Sequence, residues 1–461
     1  MVIHTDMFRG KKVLIFGLGL HGGGVSSARY FAKHGATVRV TDLRPRLLLL
    51  SSIRRIKKGS VSYVLGRHRT RDIDWADVLV KNPGVSWSSP YMEYARRKKI
   101  RIITDIGLFV EHVRAPVIGV TGTKGKSTTS ALLAAFLRTR WRQLMLAGNA
   151  LYSPLERIDT LSSKMPVVLE LSSWQLEDAA YTRWSPHVAI VTNIYPDHLN
   201  RHKSMSEYIA AKELIVRFQN RGDIFIANKE NPYVKLIAKK TRATLIWFSK
   251  KPFKTGDGVF LRNGMIVSRT GDSEREIIHS KYLRLKGRHN LEDALAAIAG
   301  ALVYDIPKTA IHNVIKRFIG LPGRLETVRH LNGITYVNDT TSTTPQAAME
   351  ALRTIHGPIQ LIAGGLDKKL PLGKFCSEIK LRSRVVILLP GSGTVRMKKF
   401  LLRLGVKYHL ASSMVEAVHL AKIHAEPGDT VLLSPGCASF GVFLHEFDRG
   451  DQFVREVAKF A

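Results

Sequence analysis

The stretch APVIGVTGTKGKSTTSALLAAFL, Ala115 to Leu137, passes from an apolar run through a glycine loop and Lys-Ser into a helical pattern. A strand that ends in glycines and enters a helix aims backbone N–H groups at an anion, helped by the helix dipole. The order fits G-x-x-x-x-G-K-[ST] except at the first glycine, where Val120 stands; the glycines fall at Gly119, Gly122 and Gly125. The expected nucleotide cradle is Gly122, Thr123, Lys124, Gly125, Lys126, Ser127 and Thr128. Lys126 would reach the β- and γ-phosphates, and Ser127 would present its hydroxyl to Mg²⁺.

Working toward the N-terminus, KKVLIFG, a glycine turn, VSSARYFAKHG and ATVRVTD read as strand, turn, helix, strand. GLGLHGGG (17–24) places Gly17, Gly19 and Gly22 in a G-x-G-x-x-G turn, and Asp42 ends the next strand. Alone, that pattern suggests a dinucleotide fold, so an NAD(P)-dependent oxidoreductase is a rival reading. Toward the C-terminus, MPVVLELSS, HVAIVTN and GDIFIAN read as buried strands, and a strand-rich stretch near 242–285 carries the hairpin-like LRNGMIVS. The amphipathic NLEDALAAIAGALVYD leads through GLPGRLE, a Gly/Pro turn and expected hinge, to ITYVND, IQLIAGG, RVVILLPG and DTVLLSPG. The alternation predicts an α/β protein of three domains in series, at 1–104, 105–320 and 321–461.

The 461 residues carry 71 Lys+Arg against 37 Asp+Glu, a formal net charge of +34. Such a surface attracts polyanions, so a nucleic-acid-stimulated NTPase is a further rival. The basic clusters, RRIKKG (54–59), RRKKIR (96–101) and VKLIAKKTR (234–242), are scattered and lack a nucleic-acid signature. No specific nucleic-acid partner is therefore expected. Two cysteines give neither a disulfide framework nor zinc spacing, and no apolar run approaches a membrane span. These features predict a soluble, cytoplasmic chain; a monomer is expected.

TGTKGKST is similar to the T-G-T-N-G-K-[ST] loop of the Mur ligases, ATP-dependent enzymes that form amide bonds. LELSSWQLE (169–177), TNIYPDHLNRH (192–202), EYIAAKE (207–213), KGRHNLEDALAA (286–297), GLPGRLE (320–326), VND (337–339), GGLDKK (364–369) and LLSPGCASF (432–440) follow in the order of its MurD branch. The resemblance implies addition of D-glutamate to UDP-N-acetylmuramoyl-L-alanine for peptidoglycan and cell-wall synthesis. The implied domains are UDP-substrate-binding and Rossmann-like, central ATP-binding, and C-terminal Rossmann-like and glutamate-binding. The chemistry suits the residues: ATP would phosphorylate the substrate carboxylate, and the amino acid's amine would displace phosphate, with alignment and charge neutralisation doing the catalysis.

Glu170, at the end of VVLE, offers the hard oxygen that Mg²⁺ prefers. By resemblance His198 and Lys212 join Ser127 and Glu170 at the metal, with Lys212 carbamylated into a carboxylate-like group. Lys126, Glu170, His198 and Lys212 are the implied catalytic set. Asn290, Asp293, Arg324 and Asp339 complete the implied ATP site, with Arg324 reaching across a domain cleft. Leu20, His21, Asp42, Arg44, Asn82, Gly84 and Asn149 would take the UDP substrate, and Thr343, Lys368, Ser439 and Phe440 the glutamate. The chain departs from the family pattern at Lys124 and Asp293, each usually Asn, and at Thr341, where NDTTSTT replaces NDSKATN. The missing lysine leaves an L-glutamate-adding variant open.

Overall fold

The computed structural model describes residues 7–460 apart from 21, 58, 60, 150, 151, 198–201, 286, 440 and 441. Two compact units emerge: Met1–Leu283 with His289–Arg317, and Arg284–Arg288 with Phe318–Ala461.

The first unit holds two sheets. Strands β1 (Lys12–Phe16), β2 (Thr37–Asp42), β3 (Val61–Leu65), β4 (Val78–Lys81) and β5 (Arg101–Ile103) are parallel in the order β3-β2-β1-β4-β5. The order reverses beside β1, where a doubly wound sheet opens a crevice at its strand ends. Gly17, Gly19 and Gly22 follow β1, and Asn82 follows β4, at that crevice.

The second sheet contains β6 (Val117–Thr121), β7 (Met145–Gly148), β8 (Val167–Glu170), β9 (Val188–Val191), β10 (Ile224–Asn228), β11 (Thr244–Ser249), β12 (Gly258–Arg262), β13 (Met265–Thr270) and β14 (Ser273–His279). They lie in the order β14-β13-β12-β11-β10-β9-β6-β8-β7. β6, β8 and β9 are buried along their whole length, which is why they read as uninterrupted Val/Ile/Leu runs rather than alternating patterns. The predicted hairpin is present: Asn263 (φ 51°) and Gly264 (φ 78°) turn β12 into antiparallel β13.

One apolar cluster runs from Val13 and Ile15 beneath the first sheet, through Ile106 and Phe109, to Val117, Val167 and Phe225 beneath the second. The helix Asp105–His112, capped by Thr104, is the wedge between them. Sharing a core makes the first two sheets one unit.

The second unit is a six-stranded sheet, with β15 (Glu326–Leu331), β16 (Ile334–Asn338), β17 (Ile359–Gly364), β18 (Ser383–Leu389), β19 (His409–Leu410) and β20 (Thr430–Leu433). Its order is β15-β16-β20-β17-β18-β19, parallel except for edge strand β15. The expected hinge, 320–326, begins just inside this unit. Among the described residues no helix is long and apolar enough to cross a membrane.

Candidate active site

The loop after β6 is braced from all sides. Lys124 N donates to Asn193 Oδ1 (2.9 Å), while Thr192 Oγ1 (2.6 Å) and Asn193 Nδ2 (3.2 Å) donate to Lys124 O. Thr123 Oγ1 accepts from Tyr195 N at 2.9 Å. Gly125 (φ 84°) caps the helix Lys126–Leu137, and a Cβ there would collide with the Asp293 carboxylate. Both the left-handed backbone and that contact require glycine. Lys126 Nζ folds back onto Gly122 O (2.9 Å) and Thr123 O (3.1 Å). Ser127 and Thr128 begin the helix, and Asn290 and Asp293 are buried in the helix Arg288–Val303. The Thr-Asn pair of TNIYPDH thus serves as a scaffold for the loop, a role its position in the sequence did not reveal.

Glu170 ends β8, paired with β6 at Val120 and β7 at Gly148. It is 1% exposed. Its Oε1 accepts from Asn149 Nδ2 at 2.9 Å, whereas Oε2 is buried with no hydrogen-bond partner. An unsatisfied buried carboxylate oxygen is costly, and it is the donor a hard divalent cation takes. The residue therefore fits Mg²⁺. Among the described residues no three His, Cys, Asp or Glu gather as a metal group. His198 lies outside the described residues, as do His21 and Phe440.

Lys212, in the helix Met205–Arg217 capped by Ser204, is buried, and its Nζ donates to Gly122 O at 3.0 Å. Burial, then the charges of Lys126 and Lys124, holds its pKa well below the ordinary lysine range, against a raising pull from Asp197. Its surroundings disfavour the ammonium form beside the phosphate loop. Lys124 Nζ faces Asp197 at 3.4 Å.

At the first sheet, Asp42 turns inward. Its Oδ2 accepts from Leu18 N and Gly19 N, both 3.0 Å, and its Oδ1 from Arg44 N (2.9 Å) and Arg44 Nη1 (3.3 Å). Asn82 Nδ2 reaches Gly17 O (3.2 Å), and Gly84 N donates to Asn82 Oδ1 (3.1 Å). Leu20 is half-buried and packs against the core. Asn149, expected on the UDP substrate, donates its amide to Glu170 Oε1. Arg55 went unnoticed in the sequence: its Nη2 lies 3.0 Å from where a Cβ on Gly22 would stand, over the start of the helix Gly23–Lys33. One of two adjacent arginines in RRIKKG carries no local signal for that place.

The second unit gathers three loops at the ends of adjacent β16, β20 and β17. Asp339 Oδ2 accepts from Ser434 Oγ (2.8 Å) and Oδ1 from Leu325 N (3.2 Å); burial pushes its pKa up to about 6. Arg324 lies close enough to act electrostatically on Asp339. Lys368 Nζ donates to Thr343 Oγ1 at 3.0 Å. Ser439 is buried and its Oγ has no partner. Thr341, at the expected lysine position, bonds Gly323 O through its amide (3.1 Å) and hydroxyl (2.9 Å), tying down the GLPGRLE turn.

A phosphate loop and a strand-end carboxylate with a spare oxygen on one sheet, a buried amine on the helix packed beside that loop, and a second, nucleotide-type sheet describe a phosphate-activating α/β ligase. Family models agree along the chain: "Mur ligase MurD-like, N-terminal domain" matches 11–104, "Mur ligase middle domain" 120–301 and "Mur ligase, glutamate ligase domain" 323–437. The chain belongs to the Mur ligase family, in its MurD branch, with the three domains in series. It is 40% identical to the UDP-N-acetylmuramoylalanine–D-glutamate ligase of Roseiflexus sp., covering 98% of this chain and 99% of that one. Its identity to the same-named protein of Borreliella burgdorferi strain ZS7 is 36%, covering 97% and 98%. In fold it is similar to the UDP-N-acetylmuramate-alanine ligase MurC of Thermotoga maritima (TM-score 0.63, 18% identity, 97% and 99% covered). It is likewise similar to the MurF ligase of Thermotoga maritima in complex with ADP (TM-score 0.59, 15% identity, 100% and 98% covered).

Proposed function

We propose that this chain is an ATP-dependent ligase that adds D-glutamate to UDP-N-acetylmuramoyl-L-alanine in peptidoglycan precursor synthesis. The observation that carries the reading is the meeting, at the C-terminal ends of β6 and β8, of the phosphate loop, the spare buried oxygen of Glu170 and the buried Lys212 amine that donates to Gly122 O. The domain limits 1–104, 105–320 and 321–461 belong to the same proposal.

The loop amides and Lys126 bind the nucleotide's phosphates, and Asn290, Asp293, Arg324 and Asp339 are its further contacts. Ser127, Glu170, His198 and Lys212 would hold Mg²⁺, which would supply charge neutralisation for phosphoryl transfer. The substrate's alanyl carboxylate attacks the γ-phosphoryl group, giving an acyl phosphate and ADP. The amine of glutamate, having lost a proton, attacks the acyl carbon and orthophosphate leaves. Lys212 carries a carbamate: only a neutral amine adds to CO₂, and its burial beside two other lysines favours that form. Leu20, His21, Asp42, Arg44, Asn82, Gly84 and Asn149 shape the UDP-sugar side. Thr343, Lys368, Ser439 and Phe440 receive glutamate, with Lys368 and the Ser439 hydroxyl suited to its side-chain carboxylate. The enzyme acts as a cytoplasmic monomer.

The oxidoreductase alternative meets an obstacle at Asp42. A carboxylate offers about four acceptor sites; four donors from its own turn and Arg44 already occupy them. A dinucleotide's ribose hydroxyl would have to displace one of them, the 3.3 Å bond from Arg44 being the longest.

The test is orthophosphate release and product mass with ATP, Mg²⁺ and UDP-N-acetylmuramoyl-L-alanine, comparing D-glutamate, L-glutamate and meso-diaminopimelate. D-glutamate should support turnover and lengthen the product by one residue. Turnover with L-glutamate alone would assign the variant enantiomer, and no turnover with either would overturn the reading.

A further inference from the structure

Arg449, in the helix Glu446–Ala458, is 0% exposed and is the bulkiest fully buried side chain in the protein's described residues. Its guanidinium spans two loops. Nε donates to Thr340 Oγ1 (3.1 Å), Nη2 to Thr340 O (2.8 Å) and Nη1 to Cys437 O (3.3 Å). Thr340 Oγ1 in turn donates to Glu446 O at 2.8 Å, so its loop is fastened to the first turn of the same helix. The next residue, Gly450, permits the approach: a Cβ there would stand 2.6 Å from Thr340 Cγ2.

Those two loops carry the side chains assigned above to glutamate. Thr340 lies three residues before Thr343, and Cys437 two before Ser439. Gly436 N donates to Ser342 O (2.9 Å), and Leu366 and Ala438 exchange backbone bonds at 2.8 and 3.0 Å, which brings in the loop of Lys368. Lys368 closes the ring on Thr343. Behind the wall that presents Thr343, Lys368 and the unpartnered Ser439 hydroxyl sits a single buried cation. Burial lowers its pKa only to about 10, so the guanidinium stays charged and its planar fork keeps all three bonds at neutral pH. A buried charge is a poor way to fill space, since an apolar side chain of similar volume is often as stable. What the fork adds is a fixed distance between two carbonyls and a hydroxyl.

We propose that Arg449 is a positioning residue for the incoming amino acid, setting the spacing of the Thr340–Thr343 and Cys437–Ser439 loops and so of the groups that grip glutamate's carboxylates. The inference rests on the ligase reading but concerns only the second half-reaction. Activation of the alanyl carboxylate needs no glutamate, so the two are separable.

The experiment measures KM for glutamate, ATP and the UDP substrate in wild type, Arg449→Lys and Thr340→Val, with thermal midpoints and borohydride trapping of the acyl phosphate formed without glutamate. Arg449→Lys should raise the glutamate KM about tenfold or more, the scale of one lost charged hydrogen bond. The other two KM values should stay within about twofold, and trapping should persist. Thr340→Val, which removes only the shared hydroxyl, should shift the glutamate KM in the same direction by less. An unchanged glutamate KM in folded Arg449→Lys, or three KM values rising together, overturns the proposal. Should Arg449→Lys not fold, Thr340→Val decides, and an unchanged glutamate KM there overturns it. A wild type that ligates neither enantiomer overturns the functional reading itself, and this inference with it.

Discussion

Asp42 and Glu170 are both carboxylates at the ends of buried parallel strands, and only their neighbours tell them apart. Asp42 accepts four bonds, from the glycine turn and from Arg44, whereas Glu170 keeps one buried oxygen unsatisfied. The first braces its turn, and the second keeps an oxygen of the kind a hard cation takes. The same local logic governs Gly125, where alanine would meet both a left-handed backbone and the Asp293 carboxylate. Gly125→Ala should weaken binding of a non-hydrolysable ATP analogue at least about tenfold, and calorimetry finding wild-type affinity would refute this. Asp105 adds a pH effect. Its buried carboxyl is raised from 3.8 to about 6, mainly by burial and then by Asp178. Between those values the folded chain holds the proton more tightly than the unfolded chain, so this group's contribution to stability falls as pH rises from about 4 to 6. Asp105→Asn escapes that loss. Its thermal midpoint relative to wild type should therefore be higher at pH 7.5 than at pH 4.5; an equal offset at both pH values would contradict the assignment.

At the scale of elements, a buried ion pair that sequence patterns did not expose adds to the shared core in coupling the first two sheets. Lys81 ends β4, fully buried, with its Nζ 2.8 Å from Asp178 in the helix Ser173–Ala180. That helix follows the Glu170 strand and starts with a Ser172–Gln175 capping box. Lys81 also donates to Asn82 O (3.3 Å) and Val85 O (3.1 Å), and Trp87 Nε1 donates to Asp178 at 2.8 Å. The pair thus fixes the Asn82 turn against the element beside the expected metal ligand. Lys81→Met alone leaves Asp178 buried without its cation and should cost about 3–5 kcal/mol. Lys81→Met with Asp178→Leu should recover most of that loss in urea titrations, because two charges lose their desolvation cost together. A double variant no more stable than the single one would show that the pair does not act as a unit. That the VKNPGV turn meets the helix after LELSS could not be read, since the hydrogen bond joining Trp87 to Asp178 spans 91 residues.

At the scale of the whole molecule, the +34 charge is a property of composition rather than of any one site. The protein should be retained on heparin and released as salt rises, as counterion screening requires, while added RNA leaves the ATPase rate unchanged. Stimulation by RNA would revive the nucleic-acid reading. The alternation of strand and helix, the glycine turns after β1 and β6 and the order of short motifs were all legible along the chain, because each depends on neighbours a few residues apart. That legibility extended to the α/β class, the phosphate loop and the family. It did not reach the two-unit division, where Ile106 and Phe109 merge the first two sheets into one core. Nor did it reach the bracing of the loop by Thr192 and Asn193, the placement of Arg55 over Gly22 or the Arg449 clamp. By itself, then, the sequence determined which chemistry-bearing residues end which strands. Tertiary structure alone decided which of them keep an atom free for a ligand and which spend it on the fold, because burial and hydrogen-bond saturation are set by groups far apart in the chain.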